Sequence, residues 1–223
     1  MEVEQLVDGL PEAVVQAEVE HDDRPWHLRL SGGATEIFVR HPSLDSLKDD
    51  DLVVLAGLTL EAEWVFLDAV PVVIQVGWGA AEFEDDLFDA LHTRTRLHSM
   101  LIGVQAGYRF WDALTPYVRV GFSGTWGDVH IDGNASDLGG WTFAAGAYAF
   151  AGVEATLPRA WMRRVFRSEV FTFGVRVEGG YSYLGRLHYG ERADTSLLEH
   201  EESSLGTLAL HGGAMNVGVV LAF

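Results

Sequence analysis

Apolar and polar residues alternate along most of the chain, in long segments separated by clusters of turn-forming or charged residues. A repeat of two is the mark of β-strands whose two faces meet unlike surroundings. From Phe171 to Tyr189, one face carries Phe171, Phe173, Val175, Val177, Tyr181, Tyr183, Leu187 and Tyr189. The opposite face carries Thr172, Gly174, Arg176, Glu178, Gly180, Ser182, Arg186 and His188. Val118, Val120, Phe122 and Trp126 stand in the same way against Arg119, Gly121, Ser123 and Thr125, and Leu58, Leu60, Ala62, Trp64 and Phe66 against Thr59, Glu61 and Glu63.

The alternation predicts eight strands: 26 to 40, 52 to 67, 71 to 81, 94 to 110, 115 to 128, 141 to 157, 170 to 189 and 205 to 223. The connections alternate in length. Asp68 to Val70 and Trp111 to Leu114 are tight, whereas 41 to 51, 82 to 93, 129 to 140 and 190 to 204 are long. One end of the sheet therefore holds short turns and the other holds loops. The segment PRAWMRRVFRSE, 158 to 169, belongs to the short-turn end and has room for a turn or two of helix. Most of these strands exceed the ~5 or 6 residues usual in a globular sheet. They are long enough for the ~9 to 11 residues of a membrane-crossing strand with a remainder beyond the bilayer.

Alternation alone does not say which face is outside, because a soluble barrel buries its apolar face and a membrane barrel turns it to lipid. Three features point to lipid. The polar face is built mainly of Gly, Ala, Thr, Ser and Gln, and the single lysine, Lys48, falls in an expected loop. Trp26, Trp64, Trp78, Tyr108, Phe110, Trp126, Trp141, Tyr183 and Tyr189 fall toward strand ends on the apolar face, as interfacial girdles require. Charge also sorts by end: the four long connections carry −3, −5, −3 (counted from Asp128) and −4, while PRAWMRRVFRSE carries four Arg and one Glu.

Composition narrows the function classes. The 223 residues carry 33 Asp plus Glu against 15 Lys plus Arg, a formal net charge of −18. Nucleic acid is therefore not an expected partner, since its recognition needs clustered Lys and Arg. With no cysteine, disulfide scaffolds, thiolate zinc sites and thiol nucleophiles are all removed. No apolar run approaches the ~18 residues of a membrane helix.

The last residues, Val217, Val219, Leu221 and Phe223, alternate apolar positions and finish on a C-terminal Phe. In this and in its strand pattern the chain resembles the small Gram-negative outer-membrane β-barrels of the OmpA, OmpX and OmpW kind, over residues 26 to 223. The resemblance implies an eight-stranded, antiparallel, up-and-down transmembrane barrel in the outer membrane, with a C-terminal signal for the assembly machinery. It also implies periplasmic termini, extracellular long loops and a signal peptide already removed. Residues 1 to 24 hold eight acids and one Arg and are expected to form a periplasmic tail or an extra strand before a barrel at 25 to 223.

Inside an eight-stranded barrel there is just room for side chains. The inward positions expected are Arg29, Glu61, Glu63, Gln75, Gln105, Arg109, Arg119, Glu154, Arg176, Glu178, Arg186, His188 and Asn216. Five Arg against four Glu is close to the neutrality that burial demands. Folding about the loops places Arg29 beside Glu63 and Arg176 beside Asn216. The network reads as a plug held by arginine forks more than as a gated ion path.

Enzyme chemistry finds little footing. His98 and Ser99 are neighbours on a strand and point to opposite faces. Ser182 and His188 share a face but are separated by roughly 20 Å along it. Glu61 and Glu63 lie roughly 7 Å apart, a glycosidase-like spacing, but salt bridging to lumen arginines is the simpler role. Asp49 to Asp51, and Glu82, Glu84, Asp85 and Asp86, are oxygen-rich clusters without the spacing of a calcium loop, and they read as solvated loops. Trp161, Met162, Val165 and Phe166 against Arg159, Arg163, Arg164 and Arg167 suggest a short amphipathic element beside anionic headgroups. No catalytic residue, metal or cofactor is assigned. The expected role is structural or partner-binding, through acidic loops or the N-terminal tail, with outer-membrane lipid, lipopolysaccharide and the assembly machinery as partners. A narrow channel or transporter for small or hydrophobic solutes is the alternative, and a lipid-modifying enzyme the second.

Overall fold

The computed structural model describes residues 26–39, 52–66, 69–87, 91–110, 113–132, 137–157, 161, 162, 164, 171–190 and 204–223. Eight strands run in chain order: β1 His27–Val39, β2 Leu52–Phe66, β3 Val70–Leu87, β4 Leu91–Gly107, β5 Leu114–Asp132, β6 Asp137–Thr156, β7 Thr172–Gly190 and β8 Ser204–Ala222. Each pairs antiparallel with its sequence neighbour, and β1 pairs with β8 to close the barrel. Closure leaves no open edge. The backbone N–H of Phe223 donates to the carbonyl of Leu28 at 2.9 Å, so the chain end is tied to the first strand.

All eight expected strands are present, and two hairpins extend further than their sequence suggested. The β3–β4 ladder continues to Leu87↔Leu91, and the β5–β6 ladder to Asp132↔Asp137. Much of 82–93 and 129–140, expected as loop, is therefore strand. The reason lies in the partner strand. Glu82 stands opposite Arg96 and Glu84 opposite Arg94. Arg94 bonds both Glu82 and Glu84, and Arg96 bonds Glu82 at 2.9 Å. Glu82 and Glu84, which read as part of a solvated cluster, are in cross-strand ion pairs, which support a ladder. The loops 41–51 and 191–203 and the acidic segment 1–24 lie outside the described residues, as do Asp49 to Asp51.

Burial settles the direction of the faces. Leu58, Leu60, Val76, Met100, Ile102, Val118, Val120, Phe122, Val177 and Val217 are all exposed on the outer wall, while Arg29, Glu61, Gln75, Arg119, Arg176 and Glu178 are buried within. Val217, Val219 and Phe223 face outward, as the alternation of the last strand requires.

One local feature reverses the expected faces. Tyr183 pairs with His211 but Arg186 pairs with Ala209, so β7 spends one more residue than β8 over this stretch. Such a bulge flips every side chain beyond it, because strand faces alternate with period two. Leu184 and Leu187 are both buried, and Arg186 and His188 are exposed on the outside. The assignment of Arg186 and His188 to the lumen, and of Leu187 to the outer wall, is thereby corrected. At the short-turn end, Trp161, Met162 and Arg164 are helical, with Trp161 exposed and Met162 buried. Arg159, Arg163, Val165, Phe166 and Arg167 lie outside the described residues.

Candidate functional site

The lumen divides by height into two chemically unlike halves. Toward the short turns it holds an ionic network supplied by five strands and by Arg109 in the β4–β5 connection. Arg176 grips Glu61 with both terminal nitrogens, at 2.7 and 3.0 Å, and reaches Glu154 at 3.0 Å. Arg29 bonds Glu63 and Glu154 and lies 3.3 Å from Glu61. Arg109 closes the lower rim by donating to Glu63 at 2.9 Å. On the other side, Arg119 pairs with Glu178, which also accepts from the Tyr117 hydroxyl at 2.8 Å. Ser31 donates to Glu61 at 2.7 Å.

With Arg186 removed to the outer wall by the bulge, these are four arginines against four glutamates. That neutrality matters because an uncompensated buried charge costs several kcal/mol. The two cross-strand pairs expected from hairpin folding are each displaced by two residues. Arg29 stands opposite Glu61 and Arg176 opposite Gly218. Arg29 still reaches Glu63 through its side chain, whereas it is Glu178 that stands opposite Asn216. Asn216 donates to Thr35 at 2.6 Å. Glu61 and Glu63, the pair with glycosidase-like spacing, are fully engaged by arginines.

Toward the loops the lumen is apolar. Ile37, Val39, Val53, Leu97, Val129, Leu184, Leu187, Leu208 and Leu210 form a buried cluster, with Leu55, Phe83 and Leu101 packed against it. Leu97, Leu187, Leu208 and Val39 are each 0% exposed. An apolar inner wall behind an apolar outer wall was not expected from the sequence.

Aromatic side chains join the halves. Tyr148 lies against Gly103 and Gly121, where an added Cβ would come within 2.2 and 2.4 Å of its hydroxyl. Gln75 donates to that hydroxyl at 3.0 Å. Arg119 sits 5.4 Å from the Tyr148 ring and 5.0 Å from that of Phe150, and Arg176 sits 5.5 Å from Tyr117. These cation–π contacts let guanidinium groups face an aromatic layer. Tyr117, Tyr148 and Phe150 were absent from the expected lumen set. The parity of β6 holds the signal, since both Tyr148 and Phe150 are an even number of residues from Glu154.

Between the halves lies a cavity of about 120 Å³. Its origin is one registered row of small residues: Gly218 pairs with Gly33, Gly33 with Gly57, Gly57 with Gly79, Gly79 with Ser99, Ser99 with Thr125 and Thr125 with Ala144. Four adjacent strands thus present no side chain at the same height. At Gly33 an added Cβ would come within 2.5 Å of the Val217 carbonyl, so these glycines also permit close approach of neighbouring strands. The Ser99 hydroxyl accepts from Thr125 at 3.0 Å inside the barrel, while its neighbour His98 stacks on Trp78 outside, 5.9 Å between ring centroids. Opposite faces separate Ser99 and His98, as the strand geometry requires.

On the outer wall, Trp26, Tyr108, Phe110 and Trp141 are exposed near strand ends, Trp64 is half-buried, and Trp78, Trp126 and Tyr183, expected near strand ends, are exposed further inside strands that run on past them. The Tyr189 side chain lies outside the described residues. Trp126 packs on Phe143 at 5.3 Å, beside Trp78 and His98. The next outward row is charged, with Glu82, Arg96 and Asp128 in register across β3, β4 and β5. Soluble monomers do not expose apolar surface on every strand of a sheet. An apolar wall bounded by aromatics and then by charges, around a charged interior, is what lipid demands. The chain is an eight-stranded transmembrane β-barrel.

No protein-family model matches the barrel's sequence, and no curated protein matches it. Among solved structures, it is similar to Neisserial surface protein A at 13% identity, over 89% of this chain and 96% of that one, with a TM-score of 0.44. Ail, the attachment invasion locus protein of Yersinia pestis, matches at 11% identity over 88% and 98%, with a TM-score of 0.44. A major outer membrane protein from Thermus thermophilus matches at 10% identity over 88% and 99%, with a TM-score of 0.49. These likenesses concern the arrangement of strands. The barrel's own architecture agrees with the resemblance to small outer-membrane barrels drawn from its strand pattern and last residues.

Proposed function

We propose that this chain is a bacterial outer-membrane barrel with a closed lumen, which serves at the cell surface as a structural or partner-binding protein through its acidic outer loops. The observation that carries this reading is the double closure of the interior: an ion-paired layer below and a packed apolar layer above. A conducting pore needs a continuous wet path, and here a hydrated ion meets first a layer of fixed ion pairs and then leucine and valine.

The membrane assignment rests on the outer wall. The Gram-negative outer membrane is supported by strand number, the polarised charge and the outward apolar alternation of Val217, Val219 and Phe223. Lipid and lipopolysaccharide are the partners of the wall, and the assembly machinery is the reader of Val217, Val219, Leu221 and Phe223. The role is read as non-enzymatic because Glu61 and Glu63 are consumed by arginines and Ser99 faces away from His98.

The test is liposome swelling with the purified, folded barrel. Vesicles carrying it are expected to admit a small sugar no faster than protein-free vesicles. Rapid, protein-dependent swelling would transfer support to the transporter reading.

A further inference from the structure

The cavity between the two lumen layers has a shape and chemistry that the closure alone does not require. Leu97, Leu101, Leu184 and Leu210 line its loop side, and Arg119 and Arg176 line its other side. Both arginines are more than nine-tenths buried. Each has an Nε–H without a hydrogen-bond partner among the described residues. Two arginines with unsatisfied buried donors at one end, leucines at the other and hydroxyls such as Ser99 and Thr125 between them describe a site with a polar and an apolar end. A buried donor left unsatisfied is costly, and an acceptor in the cavity would recover that cost.

The charge balance specifies the acceptor. Four lumen arginines are already matched by four glutamates, so an anion would enter as an uncompensated buried charge. A neutral acceptor, a carbonyl or hydroxyl oxygen, satisfies the donors without upsetting that balance. Size adds a second limit: an engineered apolar cavity of about 150 Å³ holds benzene, so this one suits about six non-hydrogen atoms.

We propose that the chamber formed by the Gly218–Gly33–Gly57–Gly79 row is a binding site for a small neutral amphiphile, such as a short-chain amide or alcohol. Its oxygen is held by Arg119 and Arg176, and its aliphatic end lies among Leu97, Leu101, Leu184 and Leu210. The proposal concerns occupancy and not passage, so it stands or falls separately from the closed lumen.

The experiment is a titration of the folded barrel, with isotope-labelled leucine methyls in lipid nanodiscs, by butanamide. Saturable methyl shifts are expected at Leu97, Leu184 and Leu210, with contacts from the butanamide methyl group to them. Leu58 and Leu60, exposed on the outer wall, report simple partitioning into lipid. Decanamide, too long for the cavity, and butanoate, which is charged, are expected to give no saturable shift at the inner leucines. Gly79→Leu should abolish the response, since an added Cβ there meets nothing closer than 3.5 Å and the side chain has the cavity to enter. Should that variant not fold, Ser99→Val fills the same row and serves the same purpose. Arg119→Lys, which keeps the charge opposite Glu178 but removes Nε–H, should weaken binding of butanamide without restoring that of decanamide. Shifts confined to Leu58 and Leu60, or an undiminished inner response when the cavity is filled, would overturn the proposal, whatever the swelling assay shows.

Discussion

The lower and upper halves of the lumen do the same task with opposite chemistry. The lower half fills space with charged side chains that must be mutually satisfied, and the upper half fills it with aliphatic groups that need only fit. The difference shows in how each should fail. An ionic layer is brittle: removing one partner strands the other in a dry interior. An apolar layer gives way by degrees, through the volume of each cavity made.

The largest expected effect is therefore at the centre of the ionic layer. Arg176→Ala takes the two-pronged grip from Glu61, leaves it and Glu154 with Arg29 alone, and is expected to cost about 3–5 kcal/mol. Equilibrium urea unfolding in lipid vesicles measures it. Arg109→Ala is the contrasting case, since Arg109 is a third exposed and water reaches it. Its loss should cost about 1 kcal/mol or less, as a largely solvated ion pair does.

In the apolar layer, Leu97→Ala is expected to cost about 2–5 kcal/mol, and Val53→Ala less, in proportion to the volume removed. The same unfolding assay ranks them. If the two substitutions cost the same, the layer is not close-packed and the comparison with the lower half loses its basis. Gly121→Ala acts at the junction. Its Cβ would come within 2.3 Å of the Ile102 carbonyl and 2.4 Å of the Tyr148 hydroxyl. Displacing Tyr148 should cost about 1–3 kcal/mol, as overpacking does, and change the near-ultraviolet circular dichroism of the tyrosines.

How far these halves were legible in the sequence depends on what each residue signals. The lower half was readable because Arg29, Glu61, Glu63, Arg119, Glu154, Arg176 and Glu178 are charges within otherwise apolar alternation, and each announces an inward position. The upper half was not, because Leu97, Leu184 and Leu210 look the same whether they face lipid or lumen. Only their parity with the charged residues of the same strand separates the cases, and on β7 the bulge breaks that parity. The outer hairpins were hidden for another reason. Glu82 and Glu84 resemble a solvated loop until Arg96 and Arg94 are placed opposite them, and pairing across a ladder depends on register. The same dependence displaced the Arg29 and Arg176 pairs by two residues.

The smallest expected effect is on the outer hairpin. Hydrogen bonds from Arg96 and Arg94 hold the Glu82 carboxyl below the usual carboxylate range. A lowered folded-state value means that the pairing favours the fold above the ordinary carboxylate pKa and is lost as pH falls through the lowered one. Glu82→Gln should leave the unfolding midpoint unchanged within error, since the pair is solvent-exposed. A nuclear magnetic resonance titration of the Glu82 carboxyl in the unaltered chain should show the downward displacement, and Arg96→Gln should reduce it.

Planar-bilayer conductance tests the two-layer account most directly, using the unaltered barrel, a barrel with the upper layer hollowed by Leu97→Ala and Leu187→Ala, one with the lower layer opened by Glu61→Ala and Arg176→Ala, and one carrying all four. If the layers close the lumen in series, the first three are silent and only the fourth conducts. Discrete conductance from the unaltered barrel, or from either two-residue variant once its folding is verified by the heat-dependent gel shift, would contradict the account.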